Sequence, residues 1–247
     1  MKIARIATSK GIKQVAFKND RWHSIVDMFS DTLEFTGESF GADEVHFVAP
    51  VQPQLILGMA HNGTPDQINN PPQAFQKSTH TAVGPGDPIF KDSNLGRLEV
   101  ECELTAVIKK TARNLTLENA MEYVLGFTVG NDVTLPEQTP HDHLLLQSKN
   151  GDGFTPLGPW IETELPNFDN CAMYVRVNGK QVISTSTNQL ARGVVAQLVH
   201  ITRYMTLGPG DVVLGGSPTS MFAVQSGDIV DLEIEGLGVL TNPISKL

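Results

Sequence analysis

Two glutamates, Glu101 and Glu103, stand two residues apart in the apolar segment LEVECELT at residues 98–105. Side chains at positions i and i+2 of a strand face the same way, about 7 Å apart along the strand. Two like charges on one covered face are costly unless a cation or a proton compensates them. Because Glu99 continues the alternation, an exposed strand whose glutamates face water explains this segment equally well.

A third carboxylate, Asp132, follows the apolar segment FTVGN and precedes a loop. If it meets the two glutamates, the three side chains offer hard oxygen ligands of the kind that Mg²⁺, Mn²⁺ or Ca²⁺ prefer. Histidine is absent from this set, which argues against a structural zinc site. An aspartate at the end of a strand is also a common cap or turn residue, so the spacing leaves both interpretations open.

The elements that must position these carboxylates are mostly strands. Short apolar runs separated by Gly/Pro turns predict β structure, and helical spacing predicts two helices, one in residues 116–126 and one in residues 187–205. The predicted fold class is therefore α+β and β-dominated. The linker VAPVQPQ divides a small β-rich N-terminal region, residues 1–50, from a main catalytic domain, residues 51–247.

Composition restricts the function classes. The 247 residues carry a formal net charge of −9, which argues against nucleic acid or an anionic membrane as a partner. No apolar run approaches the roughly 18 residues of a membrane span, and the N-terminus lacks the features of a signal peptide. Only two cysteines are present, so a disulfide framework is not expected. These features together predict a cytoplasmic protein.

Four motifs occur in one order: EVECELTAVIKKTAR, YVLGFTVGNDVT, KNGDGFTPLGPW and LGPGDVVLGGSP. In this order they resemble the fumarylacetoacetate hydrolase family over roughly residues 54–245. The resemblance implies a catalytic domain with a mixed β-roll, a homodimer and a divalent metal ion. It also implies a small-molecule substrate, namely a 2-oxo or 2,4-dioxo acid or its enol.

The resemblance also implies roles for particular residues. The three carboxylates match the metal ligands of the family, which are Glu101, Glu103 and Asp132. Lys149 matches a lysine that the family places near the metal and the substrate oxygens. Three further residues match positions that contact the substrate, namely Gln138, Gly216 and Ser217.

The chain departs from the family pattern in a segment that usually reads NY-x-x-H-x-x-E. The corresponding stretch here is GMAHNGTPDQINNPPQAF, so either His61 supplies the imidazole from a shifted place or Asp66 occupies the histidine position. Pro136 stands where the family commonly has an arginine, which removes a cation near the substrate and indicates an altered substrate or reduced activity.

The leading hypothesis is metal-dependent hydrolysis of a C–C bond in a 2,4-dioxo acid through a stabilised enolate, with His61 as the base that activates water. Two alternatives use the same enolate stabilisation: decarboxylation of an oxaloacetate-like acid and isomerisation of a 2-hydroxy-dienoate. A degenerate protein that binds a metal or an oxo acid without turnover is the alternative outside enzymes.

Overall fold

The computed structural model describes residues 1–247, and strands dominate it. The strands, numbered in chain order, are β1 Lys2–Thr8, β2 Gly11–Lys18, β3 Arg21–Ile25, β4 Phe35–Phe40, β5 His46–Phe47, β6 Ile56–Ala60, β7 Gln73–Lys77, β8 Ala82–Val83, β9 Ile89–Lys91, β10 Leu98–Ile108, β11 Val124–Asn131, β12 Thr155–Glu162, β13 Ala172–Val177, β14 Lys180–Ser186, β15 Val212–Leu214, β16 Met221–Val224, β17 Ile229–Ile234 and β18 Gly238–Lys246. The predicted fold class, α+β with a majority of strands, is confirmed.

Helices are few and short. The α-helices are α1 Leu146–Lys149 and α2 Val194–Thr202. Single 3₁₀ turns lie at Ala42–Glu44, Pro65–Asn69, Thr79–Thr81, Ser93–Leu95, Ala120–Tyr123, Thr139–His141 and Thr187–Gln189. None of the helices is long and apolar enough to cross a membrane.

Two mixed sheets form the molecule. The larger has the strand order β4-β3-β2-β1-β12-β11-β10-β15-β6-β7, with β5, β8 and β16 attached, and the smaller has the order β14-β13-β17-β18-β9. The main hydrophobic core takes residues from both sheets and from α2, among them Leu104, Val129, Val175, Leu232 and Leu198. Burial of these apolar side chains between the layers is the chief stabilising contribution.

The strands of the first 50 residues extend the larger sheet. β1 pairs antiparallel with β12, with Ile3 opposite Ile161, and both side chains are buried in one cluster. The N-terminal region therefore shares backbone hydrogen bonds and core packing with the rest of the chain. The boundary at residue 50 stays a prediction.

The helix predicted in residues 116–126 is wrong. Ala120–Tyr123 forms a single 3₁₀ turn, and β11 begins at Val124. Pairing of β11 with β10 overrides the helical spacing. Gly126, predicted to end a helix, lies in this strand, and the position favours glycine because a Cβ there would meet the carbonyl oxygen of Glu162 at 2.4 Å.

The helix predicted in residues 187–205 is confirmed only over α2. Val194 and Leu198 are buried in the core, whereas Leu190 and Met205 lie outside the helix. Gly193 is the N-cap residue and has an extended backbone. The apolar spacing therefore predicted the helix correctly but overestimated its length.

Candidate active site

Glu101 and Glu103 lie on β10, the longest strand, where its neighbours change. β16 pairs with the beginning of β10, with Met221 opposite Glu101, and β15 pairs with its later residues. Residues 215–220 connect β15 to β16, and the backbone N–H of Gly215 donates to the carbonyl of Leu104 at 3.0 Å. This crossing opens the sheet at the two glutamates, which lets their side chains face a cavity.

Asp132 joins the two glutamates. It directly follows β11, and its backbone N–H donates to the carbonyl of Glu101 at 3.1 Å. One carboxylate oxygen from each of the three residues lies within 4.8 Å of the other two. All three side chains are buried. The exposed-strand interpretation therefore does not hold for Glu101 and Glu103.

Glu99, the next glutamate along the same strand face, is outside this cluster. Its Oε1 lies 2.9 Å from the Nε atom of Arg97, and its side chain is 17% exposed. Of the three alternating glutamates, Glu101 and Glu103 are therefore buried in the cluster, whereas Glu99 lies at the rim of the cavity.

Two lysines supply positive charge to the carboxylate cluster. The Nζ atom of Lys149, at the end of α1, lies 3.0 Å from Glu101 Oε1 and 2.6 Å from Asp132 Oδ2. Lys77, the last residue of β7, is fully buried and forms an ion pair with Asp132. Its ammonium also donates to the carbonyl of Phe154 at 2.8 Å.

Lys77 was not predicted from the sequence. It ends the short strand QAFQK, where it shares a face with Phe75. The sole sequence signal is a lysine on the apolar face of a strand, and lysines are almost never fully buried unless paired.

The pKa directions distinguish Asp132, which two lysines contact, from Glu103, which has no lysine partner. Burial, together with the charges of Asp132 and Glu101, raises the pKa of Glu103 well above its usual range. Burial would likewise raise the pKa of Asp132, but Lys149 and Lys77 hold it below its usual value. Burial raises the pKa of Glu101 although Lys149 opposes this. The cluster therefore lacks positive charge on the side of Glu103.

The lysines also differ from each other. Burial lowers the pKa of Lys77 in spite of Asp132. Burial would lower the pKa of Lys149 too, but Asp132 and Glu101 raise it above its usual value. The two carboxylates therefore favour the charged form of Lys149.

The connection between β15 and β16 holds both predicted substrate-contact residues of the GGSP segment. The backbone N–H of Gly216 donates to Glu103 Oε2 at 2.7 Å, and its φ of +101° favours glycine. Ser217 lines the cavity. Its hydroxyl lies 2.8 Å from that of Ser220, which donates to the carbonyl of Cys102 at 2.6 Å.

His61 and Asp66 are on the connection between β6 and β7, but only His61 lines the cavity. Its ring makes no hydrogen bond within the chain, and its backbone φ is +53°. Asn62 fixes this backbone because its buried Nδ2 donates to the carbonyls of Gly215 at 2.7 Å and Arg192 at 2.9 Å. Asp66 is exposed and lies outside the cavity wall.

Gln67, not Asp66, faces the cavity from this connection. Its Oε1 accepts hydrogen bonds from the backbone N–H groups of Gly63 at 2.6 Å and Thr64 at 3.1 Å. These bonds order the turn that carries His61.

Gln138, predicted to contact the substrate, lies away from the cavity. Its Nε2 donates to the carbonyl of Leu95 at 3.1 Å, and the residue is half-buried. Pro136 and Thr139 line the cavity from this segment instead. Gln138 is the N-cap residue of the 3₁₀ turn Thr139–His141.

The cavity in front of the carboxylates has a volume of about 500 Å³. Its wall joins the three carboxylates, Lys149, His61 and Ser217, so six of the predicted site residues converge on one space. The remaining wall is largely uncharged and includes Met59, Phe75, Pro136, Leu145 and Met221. A cavity of this size with a few convergent polar groups is typical of a site for a small organic molecule.

Both parts of the chain match protein-family profiles. The profile described as fumarylacetoacetate (FAA) hydrolase C-terminal matches residues 47–245. The profile described as Rv2993c-like, N-terminal matches residues 1–50.

Individual relatives agree with these profiles. Protein Rv2993c of Mycobacterium tuberculosis is 31% identical over 262 residues, covering 100% of this chain and 98% of the relative. Oxaloacetate tautomerase fahd2, mitochondrial, of Xenopus laevis is 34% identical over 184 residues, covering 70% of this chain and 58% of the relative.

The structure of 5-carboxymethyl-2-hydroxymuconate delta-isomerase from Mycobacterium smegmatis is 30% identical and superimposes with a TM-score of 0.95, covering 100% of both chains. Fold, motif order and family profile thus agree, and the chain belongs to the fumarylacetoacetate hydrolase family.

Proposed function

We propose that this chain is a divalent-metal-dependent enzyme that hydrolyses a C–C bond in 2,4-dioxo acids such as acylpyruvates. The observation that carries the proposal is the buried cluster of Glu101, Glu103 and Asp132 beside Lys149 in a cavity of small-molecule size. Buried carboxylates with too little positive charge are costly to fold, so their presence calls for a cation.

The chemistry of the donor set fits Mg²⁺, Mn²⁺ or Ca²⁺. All three side chains offer carboxylate oxygens, which are hard ligands, and one oxygen of each lies within 4.8 Å of the others. Glu103 has only the Gly216 N–H as a partner. A divalent cation held by these residues would supply the positive charge that stabilises an enolate during bond cleavage.

The chain's own residues complete the reaction. Lys149, oriented by Glu101 and Asp132, adds a fixed cation near the substrate oxygens. His61, whose ring is free of hydrogen bonds within the chain, takes a proton from the water that attacks the distal carbonyl. Collapse of the adduct of water and the distal carbonyl then breaks the C–C bond and releases one carboxylic acid and an enolate. The proton that His61 took returns to the enolate carbon, which gives the second product, a 2-oxo acid.

Isomerisation is the second candidate. The segment around His61 offers Gln67 and no carboxylate to the cavity, so a second acid–base group is missing there. Proton movement along an enol needs fewer such groups than attack by water does. The 30% identical isomerase from Mycobacterium smegmatis supports this candidate, and decarboxylation of an oxaloacetate-like acid uses the same enolate.

A turnover screen of the purified protein tests the proposal. The panel contains acylpyruvates, oxaloacetate and 2-hydroxy-dienoates, each assayed with Mg²⁺ or Mn²⁺ and again with a chelator. We expect metal-dependent cleavage of acylpyruvates that Glu101→Gln abolishes.

The matched control is Glu164→Gln, because that side chain is 84% exposed and remote from the site. A preference for oxaloacetate or dienoates would select decarboxylation or isomerisation. Binding of pyruvate without turnover of any compound would identify a non-catalytic binder. The homodimer and the cytoplasmic location remain predictions of the family resemblance and the composition.

A further inference from the structure

We propose that this site selects 2-oxo acids whose far end is uncharged and apolar, and that it discriminates against dicarboxylates. This inference rests on the proposed function, because it concerns the same cavity. It narrows the substrate to monocarboxylates, in which the 2-oxo acid end carries the one negative group.

The charge of the cavity wall is the first observation. Four carboxylates line it, those of Glu99, Glu101, Glu103 and Asp132, whereas Lys149 is its one lysine and arginine is absent. A second carboxylate on the substrate would normally be held by an arginine, whose fork of donors matches a carboxylate. No such partner faces this cavity.

The lysines near the cavity already have carboxylate partners. Lys149 and Lys77 pair with Glu101 and Asp132. A divalent cation at the cluster would offset the charge of Glu103 and the substrate's own carboxylate, while Glu99 keeps Arg97 as its partner. A second substrate carboxylate adds an unmatched negative charge within the same low-dielectric space, where repulsion is strongest.

Glu99 sets the sign of the charge at the rim. Arg97 is its partner, with Nε 2.9 Å from Glu99 Oε1, but the same Nε also lies 3.8 Å from Glu137 Oε1. The backbone N–H of Arg97 donates to Glu137 Oε2 at 2.9 Å. One guanidinium therefore stands between two carboxylates, outside the cavity wall, and the rim is net negative.

The uncharged part of the wall suits an apolar group. Phe75 faces Lys149, with the ammonium 5.3 Å from the ring centroid. Pro136, Leu145 and Met221 add apolar surface, and the Met221 side chain is more than half exposed. Covering this surface with an alkyl or aryl group gains hydrophobic stabilisation, whereas a carboxylate placed there loses its hydration without a partner.

Isothermal titration calorimetry with Mg²⁺-loaded protein tests the inference through binding alone. The ligands are 2-oxoglutarate and 5-methyl-2-oxohexanoate, in which an isopropyl group replaces the distal carboxylate with nearly the same shape. Pyruvate is the reference for the shared 2-oxo acid end. We expect 5-methyl-2-oxohexanoate to bind at least about tenfold more tightly than 2-oxoglutarate, since like-charge contacts are strongly unfavourable.

Variants identify the source of the discrimination. Glu99→Gln is expected to reduce the ratio of the two ligands' affinities several-fold, whereas Glu164→Gln is expected to leave that ratio unchanged. His61→Gln removes the other basic side chain of the wall and is expected to leave the preference for the apolar ligand in place.

Equal or tighter binding of 2-oxoglutarate would overturn the inference. If Arg97→Gln then weakened the binding of 2-oxoglutarate alone, the guanidinium of Arg97 would be identified as the group that binds the distal carboxylate in place of Glu99. Failure of pyruvate itself to bind would overturn the proposed function, and the inference with it.

Discussion

Two isosteric substitutions in the carboxylate cluster are expected to have opposite effects on the metal-free protein. Asp132→Asn removes the negative charge that two buried lysines share. Glu103→Gln removes a negative charge that has no lysine partner and accepts one backbone hydrogen bond, from Gly216. The side chains lie in the same cluster and change in the same chemical way, so each serves as the control for the other.

The magnitude follows from the burial of Lys77. Its side chain is fully inaccessible to solvent, and without the negative charge of Asp132 its ammonium keeps only neutral acceptors such as the carbonyl of Phe154. Breaking a buried ion pair by removing one partner costs about 3–5 kcal/mol of unfolding free energy. For a chain of this length each kcal/mol corresponds to about 2–4 °C, so Asp132→Asn should lower the melting temperature by about 6–20 °C.

Glu103→Gln should have a melting temperature equal to that of the wild type or higher. A glutamine side chain avoids the repulsion that raises the pKa of Glu103, and it can still accept the Gly216 hydrogen bond. Thermal unfolding followed by circular dichroism, with a chelator present at pH 7, measures both variants. Equal destabilisation by the two substitutions would refute the division into paired and unpaired carboxylates.

Three further predictions concern pH, catalysis and the backbone around His61. Because the pKa of Glu103 is raised, the metal-free folded state binds a proton more tightly than the unfolded state does. The unfolding free energy should therefore fall, by up to about 1.4 kcal/mol per pH unit, as the pH rises from the pKa of Glu103 in the unfolded chain to its raised pKa in the folded chain. Glu103→Gln should flatten this pH dependence of the unfolding free energy, measured by denaturation at each pH. His61→Gln should lower kcat for acylpyruvate hydrolysis by about 10²–10⁴-fold while calorimetry shows unchanged Mn²⁺ affinity, and an unchanged kcat would exclude His61 as the base. Asn62→Ala should lower the unfolding free energy in urea by about 1–3 kcal/mol, because the backbone N–H of Arg192 loses its acceptor, Asn62 Oδ1, while the carbonyls of Gly215 and Arg192 keep only the amide of Gln197. A smaller loss would show that water replaces the Asn62 amide.

The sequence was most informative where a local pattern coincides with the final geometry. The i, i+2 spacing of Glu101 and Glu103 survives folding because β10 is a regular strand. Asp132 is one residue beyond β11, the direct neighbour of β10, so its place beside Glu101 follows from the pairing of the two strands.

Features that depend on distant partners could not be predicted. Lys77 reaches Asp132 across 55 residues of chain, and its one local signal, a place on the same strand face as Phe75, does not identify that partner. Glu99 and Glu101 occupy equivalent positions in the alternation, but only tertiary structure buries one and leaves the other at the rim with Arg97. The wrong helix at residues 116–126 has the same cause, since pairing with β10 decided the conformation of Val124 onward.

The two halves of the site differ in how freely evolution can alter them. The carboxylates lie on β10 and next to β11, in the middle of a sheet, where an inserted residue would reverse the facing of every following side chain. His61 and Gln67 lie on residues 61–72, which merely connect two antiparallel neighbours, β6 and β7. Apart from the buried Asn62, residues can be added, removed or exchanged there without shifting the strand register, as surface connections generally tolerate.

The carboxylate cluster therefore lies on the sheet, whereas the candidate base His61 lies on the connection between β6 and β7. Grafting a connection that keeps Asn62 but carries a different acid–base pair between Ala60 and Gln73 should change the reaction without rebuilding the carboxylate cluster. Lys77 lies four residues after Gln73 on β7 and is buried in the sheet, so the chain cannot be exchanged as freely there.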